Sequence, residues 1–248
     1  MHKGGVTMRI KDKLFFNKAD LIEHGPINIV ILGDSVSHGA FSDYINYDKV
    51  YWNLLRQKMN AFRDYTPINM ICASIGGTRA SCALQRLDKQ VLIHEPDLVI
   101  VCFGLNDVNG TLEEYLDPLK QIFARCKEAG SEVIFLTPNM LCTYVAPEPS
   151  GRYRTYAGKC ADMQNSGRMD QYIQAAVSLA QQMEVAVCDC YSKWKELAKT
   201  EDITLMLSNR INHPTEEMHQ LFADSLYEMI MADSVNTAEA ESTMYSEQ

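Results

Sequence analysis

Four residues of this chain have the types and settings that acyl-transfer chemistry needs. Ser35 follows the apolar run Ile27–Leu32 after a glycine-containing turn, so its hydroxyl is placed at the end of a predicted strand. Acyl transfer requires a nucleophile, a base, and hydrogen-bond donors directed at the developing oxyanion. Ser35 can be the nucleophile, and His213, near the other end of the chain, can be the base. The N–H groups of Ser35 and Gly77 and the side-chain amide of Asn106 can be the donors.

Strand and helix patterns alternate along the chain, which is typical of a parallel sheet with helices on both faces. The carboxyl ends of the strands in such a sheet meet at one edge, where ligands bind. We therefore expect Ser35, Gly77 and Asn106, each of which follows a strand, to lie close together. The five predicted strands are Ile27–Leu32, Ile68–Ala73, Asp97–Phe103, Glu132–Thr137 and Glu184–Cys188. Helical spacing of apolar residues predicts helices over Asn46–Arg63, Arg79–Ile93, Met169–Met183 and Thr215–Met231.

Two further segments have less regular patterns. Thr111 and Glu114 have the spacing of a helix capping box, but a proline is unfavourable in a helix interior. We therefore expect Asp117 to cap a new helix, with Pro118 at its first position. The segment Pro138–Gly167 is polar and contains three prolines, so it is predicted to be a long loop on the same side of the sheet as Ser35.

Four short motifs that contain the candidate residues resemble the sequence blocks of one enzyme family. In chain order they are Gly33-Asp34-Ser35, Gly76-Gly77, Gly104-Leu105-Asn106-Asp107 and Asn212-His213-Pro214. Each motif alone is common, but the four in this order are similar to the SGNH hydrolases of the GDSL esterase/lipase superfamily, and to its carbohydrate-deacetylase-like branch. The resemblance implies a three-layer α/β/α, flavodoxin-like fold with a five-stranded parallel sheet. It also implies ester hydrolysis through an acyl-serine on Ser35, with His213 as base, an oxyanion hole of Ser35, Gly77 and Asn106, and no metal or cofactor.

One position departs from the family pattern. The family usually has an aspartate three residues before the histidine to orient the imidazole, and this chain has Arg210 there. An arginine cannot accept the imidazole N–H. We therefore expect a Ser–His dyad in which a backbone carbonyl of Ser208 or Asn209 orients His213, with the Asn209 side chain as the next candidate. Arg210 would then be free to point into the cleft and bind an anionic or sugar substrate.

Composition excludes several other classes of protein. The chain has 248 residues, a net charge of −9 and a pI near 5.2, which disfavours binding to nucleic acid. It has no run of 18 apolar residues, so no transmembrane helix is expected. The first residues lack the apolar core of a signal peptide, so we expect a cytoplasmic protein, and a homo-oligomer is not excluded.

The predicted organisation is a single hydrolase domain with short additions at each end. We expect residues 1–25 to pack on the domain, residues 26–234 to form the hydrolase, and residues 235–248, which are polar and acidic, to be a disordered tail.

Short acyl groups, in particular acetyl groups on a carbohydrate, are the substrate that the sequence favours. The chain has no amphipathic membrane-binding helix or large apolar lid of the kind that suits a lipase. The candidate residues for substrate binding are Asp34, Arg152, Arg154 and Arg210. Two alternatives stay open: a lysophospholipase or thioesterase acting on longer acyl chains, and a non-catalytic binding protein on the same fold.

Overall fold

A five-stranded, all-parallel sheet is the centre of the structure, a computed structural model that describes residues 10–232. The strands are β1 (Ile27–Gly33), β2 (Ile68–Cys72), β3 (Leu98–Cys102), β4 (Glu132–Leu136) and β5 (Ala186–Cys188). They pair in the order β2-β1-β3-β4-β5, with β1 in register against both β2 and β3. The prediction of a flavodoxin-like parallel sheet between layers of helices is confirmed.

The two central strands are apolar because helices cover both faces of the sheet. Every residue of β3 is buried, and so are all residues of β1 except Asn28. Parallel sheets of α/β proteins carry continuous apolar runs for this reason. The strands β1 and β3 are neighbours although β2 lies between them in sequence. Their carboxyl ends therefore form the topological switch point, where open α/β sheets bind ligands.

Two helical layers enclose the sheet. The helices are α1 (Ile10–Leu14), α2 (Lys18–His24), α3 (Tyr51–Phe62), α4 (Ala80–Gln90), α5 (Leu112–Glu128), α6 (Gly151–Asn165), α7 (Arg168–Gln182), α8 (Cys190–Leu197) and α9 (Glu216–Met231). One layer contains α3 and α9, with α1 and α8 against α9. The other contains α4, α5 and α7, and α6 packs on α7.

The prediction of a helix break before Pro118 is wrong. The capping box at Thr111 forms as expected, but α5 then continues through Pro118 to Glu128. The buried residues on both sides of the proline, such as Tyr115 and Leu119, belong to one apolar stripe. Packing of this stripe offsets the lost hydrogen bond of one proline, a cost of roughly 3 kcal/mol in a helix interior.

The segment predicted as a long loop, Pro138–Gly167, is a loop only in its first half. Helix α6 occupies Gly151–Asn165, and its buried residues are Ala157, Cys160, Ala161 and Gln164. These side chains have helical spacing but are small or polar, so the apolar pattern that identifies a helix is weak here. Because most of the exposed residues of α6 are polar, the sequence pattern is typical of a loop.

The described part of the N-terminal segment is anchored to the sheet. Ile10 and Leu14 lie in the core, and Lys13 is buried. The Lys13 ammonium donates to the Asp97 carboxylate at 2.8 Å and to two backbone carbonyls, so its charge is compensated. The predictions for residues 1–9 and for the tail 235–248 fall outside the described residues. Within residues 10–232, no helix is long and apolar enough to cross a membrane.

Candidate active site

The Ser35 hydroxyl is presented by a tight turn at the carboxyl end of β1. The turn is closed by backbone bonds from His38 N–H to the Asp34 carbonyl and from Ala40 N–H to the Ser35 carbonyl, each 2.9 Å long. A Cβ at Gly33 would lie 2.4 Å from the Ser37 hydroxyl oxygen, so a side chain there would collide with the turn. Glycine is therefore required for the chain to fold back so closely behind the serine.

His213 comes from the other end of the chain and meets Ser35 at this edge of the sheet. Its Nε2 is 3.0 Å from the Ser35 hydroxyl oxygen, which is hydrogen-bond distance. Burial lowers the pKa of His213 below its ordinary value of 6.5. The ring is therefore neutral at pH 7 and can accept a proton from the serine.

The carbonyl oxygen of Phe41 orients the imidazole of His213. It lies 2.5 Å from Nδ1 of the ring. A carbonyl can only accept a hydrogen bond, so Nδ1 carries the proton and Nε2 presents a lone pair to Ser35. The group at Nδ1, where the family usually has an aspartate, is thus the main-chain carbonyl of Phe41, on the loop after Ser35.

The expectation that Ser208 or Asn209 orients the ring is wrong. The side-chain oxygen of Asn209 accepts from the backbone N–H groups of Ile211, Asn212 and His213 at 2.9–3.0 Å. Ser208 donates through its N–H and its hydroxyl to the His213 carbonyl. Both residues therefore hold the backbone of the histidine loop, and the ring itself turns away from them toward Phe41.

Arg210 also belongs to the scaffold of this loop. It has a left-handed backbone with φ 58°, which is uncommon for a residue other than glycine. Its guanidinium donates to the carbonyls of Leu205 and Leu207 and forms an ion pair with Glu148. These contacts do not support the expectation that Arg210 is free to bind substrate.

The side-chain amide of Asn106 lies between the turn that carries Ser35 and the loop that contains Gly76 and Gly77. Its Nδ2 donates to the Asp34 carboxylate and to the Thr78 carbonyl, each at 3.2 Å. Gly77 precedes Thr78 and has φ 73°, a conformation that favours glycine. The position of a Cβ on Gly76 would be 3.6 Å from the Ser35 Cβ, so this loop faces the serine. The structure thus brings Ser35, Asn106 and the glycine loop to one place.

Two buried carboxyl groups, those of Asp34 and Asp107, accept hydrogen bonds from the loops that carry Ser35 and Asn106. The Asp34 carboxylate accepts from Val36 N–H as well as from Asn106, and Asp107 accepts from the N–H groups of Ala80 and Gly104. Burial raises the pKa of Asp34 to about 7 and that of Asp107 to about 6. Since Asp34 is 1% exposed, it braces the site and is not available to substrate, contrary to its selection as a binding residue.

The remaining candidates lie on the surface or at the edge of the site. Arg152 and Arg154 are exposed on α6, where Arg152 stacks on Tyr153 and Arg154 donates to the Ala146 carbonyl. His38 is bonded through Nε2 to the Tyr47 hydroxyl at 3.2 Å, and its Nδ1 is 3.8 Å from the Cβ position of Gly76.

One group at the site has no signal in the sequence, the main-chain carbonyl of Phe41. Every residue has a carbonyl, so residue types could not single out Phe41. Tyr156 lies in the segment that the sequence predicts to be a loop, but α6 carries its hydroxyl to the side chain of Asn109, which in turn donates to the Asn106 carbonyl at 3.1 Å. Within residues 10–232, no group of three or more His, Cys, Asp or Glu side chains could hold a metal ion.

A comparison of the sequence with models of protein families identifies the family of this chain. The family model of the GDSL-like lipase/acylhydrolase family matches residues 31–221, which contain all four motifs. The chain belongs to the GDSL-like lipase/acylhydrolase family. This GDSL-type protein is therefore a carboxylic ester hydrolase. No curated protein gives a significant match to its sequence.

Solved structures of similar fold include other esterases. Axe2, an acetylxylan esterase from Geobacillus stearothermophilus, is 19% identical, with a TM-score of 0.64 over 82% of this chain and 94% of that chain. A catalytic mutant of Axe2 is 18% identical over the same shares, with a TM-score of 0.66. A protein named as a GDSL-like lipase from Parabacteroides merdae is 17% identical, with a TM-score of 0.66 over 83% of this chain and 95% of that chain. At these identities the likeness shows the GDSL hydrolase fold.

Proposed function

We propose that this GDSL hydrolase removes acetyl and other short acyl groups from carbohydrate esters through an acyl-serine intermediate. Ser35 is the nucleophile, His213 is the base, and the N–H groups of Ser35 and Gly77 form the oxyanion hole with the Asn106 amide. The 3.0 Å contact between Ser35 Oγ and His213 Nε2, with the Phe41 carbonyl behind the ring, is the observation that carries this proposal.

Acylation begins when His213 Nε2 accepts the proton of the Ser35 hydroxyl as the oxygen attacks the ester carbonyl carbon. The negative charge that develops on the carbonyl oxygen is stabilised by the donors of the oxyanion hole. Collapse of this intermediate breaks the bond to the leaving alcohol, which takes the proton from Nε2. The acyl group is then bonded to Ser35.

Deacylation repeats these steps with water. His213 accepts a proton from the water as its oxygen attacks the acyl-serine, and returns that proton to the Ser35 oxygen as the carboxylic acid leaves. The Phe41 carbonyl keeps Nδ1 protonated throughout, so Nε2 is always the nitrogen that faces the serine. A neutral carbonyl stabilises the imidazolium less than a carboxylate would, because it carries no net charge.

The proposed substrate is supported by the edge of the site and by the similar structures. Tyr44 and Tyr47, on the loop after the nucleophile, are each about half exposed, at 48% and 50%. Flat aromatic surfaces beside hydroxyl and imidazole groups, such as the bonded pair of His38 and Tyr47, suit the apolar faces and hydroxyls of a sugar. An acetylxylan esterase among the similar structures points to the same class of substrate.

A series of p-nitrophenyl esters from acetate to octanoate tests the proposal, together with an acetylated xylo-oligosaccharide. We expect the highest kcat/KM on acetate, release of acetate from the sugar, and loss of both activities in Ser35→Ala. Ser178→Ala is the matched control because this serine lies on α7 and donates to the Gln174 carbonyl, far along the chain from the motifs. Activity that rises toward octanoate would favour a lipid or thioester substrate. Activity that survives in Ser35→Ala would contradict the role of Ser35 as nucleophile.

A further inference from the structure

The imidazole of His219 packs against the ring of Phe41, the residue whose carbonyl contacts His213. Both side chains are buried, and their ring centres are 4.9 Å apart. Tyr44 also stacks on Phe41, with ring centres 5.4 Å apart, and its carbonyl accepts the Phe41 N–H at 3.0 Å. The Phe41 residue is therefore held by its ring and its N–H while its carbonyl faces His213.

His219 also completes the first turn of α3. Its Nδ1 accepts the backbone N–H of Tyr51, the first residue of that helix, at 3.3 Å. The preceding residue, Val50, has no polar side-chain atom that could cap the helix. Nδ1 can accept this bond only when the ring is neutral, and burial together with the nearby His213 lowers the pKa of His219 to about 3.

The same contacts extend to the nucleophile turn. The Tyr51 ring stacks on His219 at 6.1 Å, with 9° between the ring planes. Its hydroxyl is 2.8 Å from the hydroxyl of Ser37, which lies two residues after the proposed nucleophile. His219 is thus linked to both halves of the dyad, through Phe41 to His213 and through Tyr51 to the serine turn.

One polar atom of His219 has no bonding partner in the described part of the chain. Its Nε2 is buried and has no hydrogen-bond partner within residues 10–232. A buried donor without a partner destabilises the folded state, and an apolar side chain would avoid that penalty. The contacts that offset this penalty are the bond that Nδ1 accepts from Tyr51 N–H and the packing of the ring on Phe41.

We propose that His219 is a positioning residue of this hydrolase, which holds Phe41 so that its carbonyl stays at Nδ1 of His213. This inference rests on the function proposed above. The orientation of a main-chain carbonyl follows the backbone conformation of its loop, so the side chains that pack on the loop help to fix it. His219 is the residue whose ring contacts Phe41 from within the core.

The test replaces His219 by leucine and follows both catalysis and the bond itself. We expect His219→Leu to lower kcat for p-nitrophenyl acetate by roughly 10- to 100-fold, with little change in KM, because displacement of a catalytic group by about 1 Å has effects of this size. In proton NMR spectra, the downfield signal of the His213 Nδ1 proton should shift or disappear. Because this signal does not require turnover, it tests the positioning role even if the wild-type protein hydrolyses no ester.

A double-mutant cycle asks whether His219 acts through Phe41. Phe41→Leu keeps the carbonyl but removes the ring, so it should lower kcat in the same way, and the double variant should be little worse than either single variant. His219→Phe keeps an aromatic contact with Phe41 but loses the acceptor for Tyr51. We expect it to retain kcat and the NMR signal at a lower melting temperature.

Phe222→Leu is the matched control. Phe222 lies on the same helix and packs on Tyr51 and His219, so its loss should reduce stability and leave kcat unchanged. Equal losses of kcat in Phe222→Leu and His219→Leu, or an unchanged His213 signal in His219→Leu, would overturn the proposal. If His219→Leu does not fold, Phe41→Leu decides the question, since wild-type kcat and an unchanged signal in that variant would also overturn it.

Discussion

Asp34→Asn is expected to change the pH dependence of stability by an amount that follows from the structure. Burial raises the pKa of Asp34 from an ordinary value of 3.8 to about 7. Between these two values the folded state holds a proton that the unfolded chain has released, so the contribution of this residue to stability is largest at low pH and is lost as pH rises. Between pH 5 and about pH 7 the folded protein keeps Asp34 protonated while the unfolded chain has it ionised, and these two pH units, at about 1.36 kcal/mol each, destabilise the folded protein by about 2 to 3 kcal/mol by pH 8.

The variant cannot ionise at this position, so its free energy of unfolding does not fall with pH for this reason. The difference in unfolding free energy between Asp34→Asn and the wild type should therefore move in favour of the variant by about 2 to 3 kcal/mol between pH 5 and pH 8. Urea denaturation at both pH values measures this difference, and contributions from other residues largely cancel. Asp88→Asn, at an exposed carboxylate, is the control.

The same substitution should reduce activity. The Asp34 carboxylate accepts a hydrogen bond from the Asn106 amide at 3.2 Å, and the neutral amide of an asparagine at position 34 would hold Asn106 less strongly. We therefore expect Asp34→Asn to have a lower kcat than the wild type, although its stability relative to the wild type is greater at pH 8 than at pH 5. A stability difference that is the same at pH 5 and pH 8 would refute the reasoning about the buried carboxyl group.

Three further predictions concern the reacting groups. Asn106→Ala should lower kcat by roughly 10²- to 10³-fold with little change in KM, as loss of one oxyanion donor does in other hydrolases; a change confined to KM would contradict its role. Because burial lowers the pKa of His213 below 6.5, the half-maximal point on the acid side of the kcat/KM profile should lie below pH 6.5, and a half-maximal point above 6.5 would be inconsistent with this. Arg210→Asp restores the family's residue type but should not raise kcat, because Phe41 already occupies Nδ1 of His213; a large rise would show that the ring lacks a partner.

The sheet and the meeting of distant motifs were predictable because they follow from hydrophobic pattern and strand direction. Runs such as Ile29–Leu32 have no polar break, and parallel strands place their carboxyl ends at one edge. Ser35 and Asn106 follow two strands that the sheet makes neighbours, so their proximity needs no knowledge of side-chain packing.

The features that were missed depend on information that residue types do not carry. Helix α6 buries small side chains, so its periodicity is weak, and α5 continues past Pro118 because its apolar stripe is long enough to offset one lost bond. The acceptor for His213 is a main-chain oxygen, which any residue could supply. The burial of Asp34 is a property of the surrounding fold, which its residue type does not reveal.

Labelling with a fluorophosphonate probe tests the central claim, that Ser35 is a nucleophile activated by His213. Such a probe forms a stable bond to an activated serine, and peptide mass spectrometry identifies the residue that carries it. The proposal predicts that the peptide containing Ser35 is labelled in the wild type, that His213→Ala slows the labelling strongly, and that Ser35→Ala abolishes it. Labelling of another serine, or equally fast labelling of Ser35 without His213, would contradict the claim.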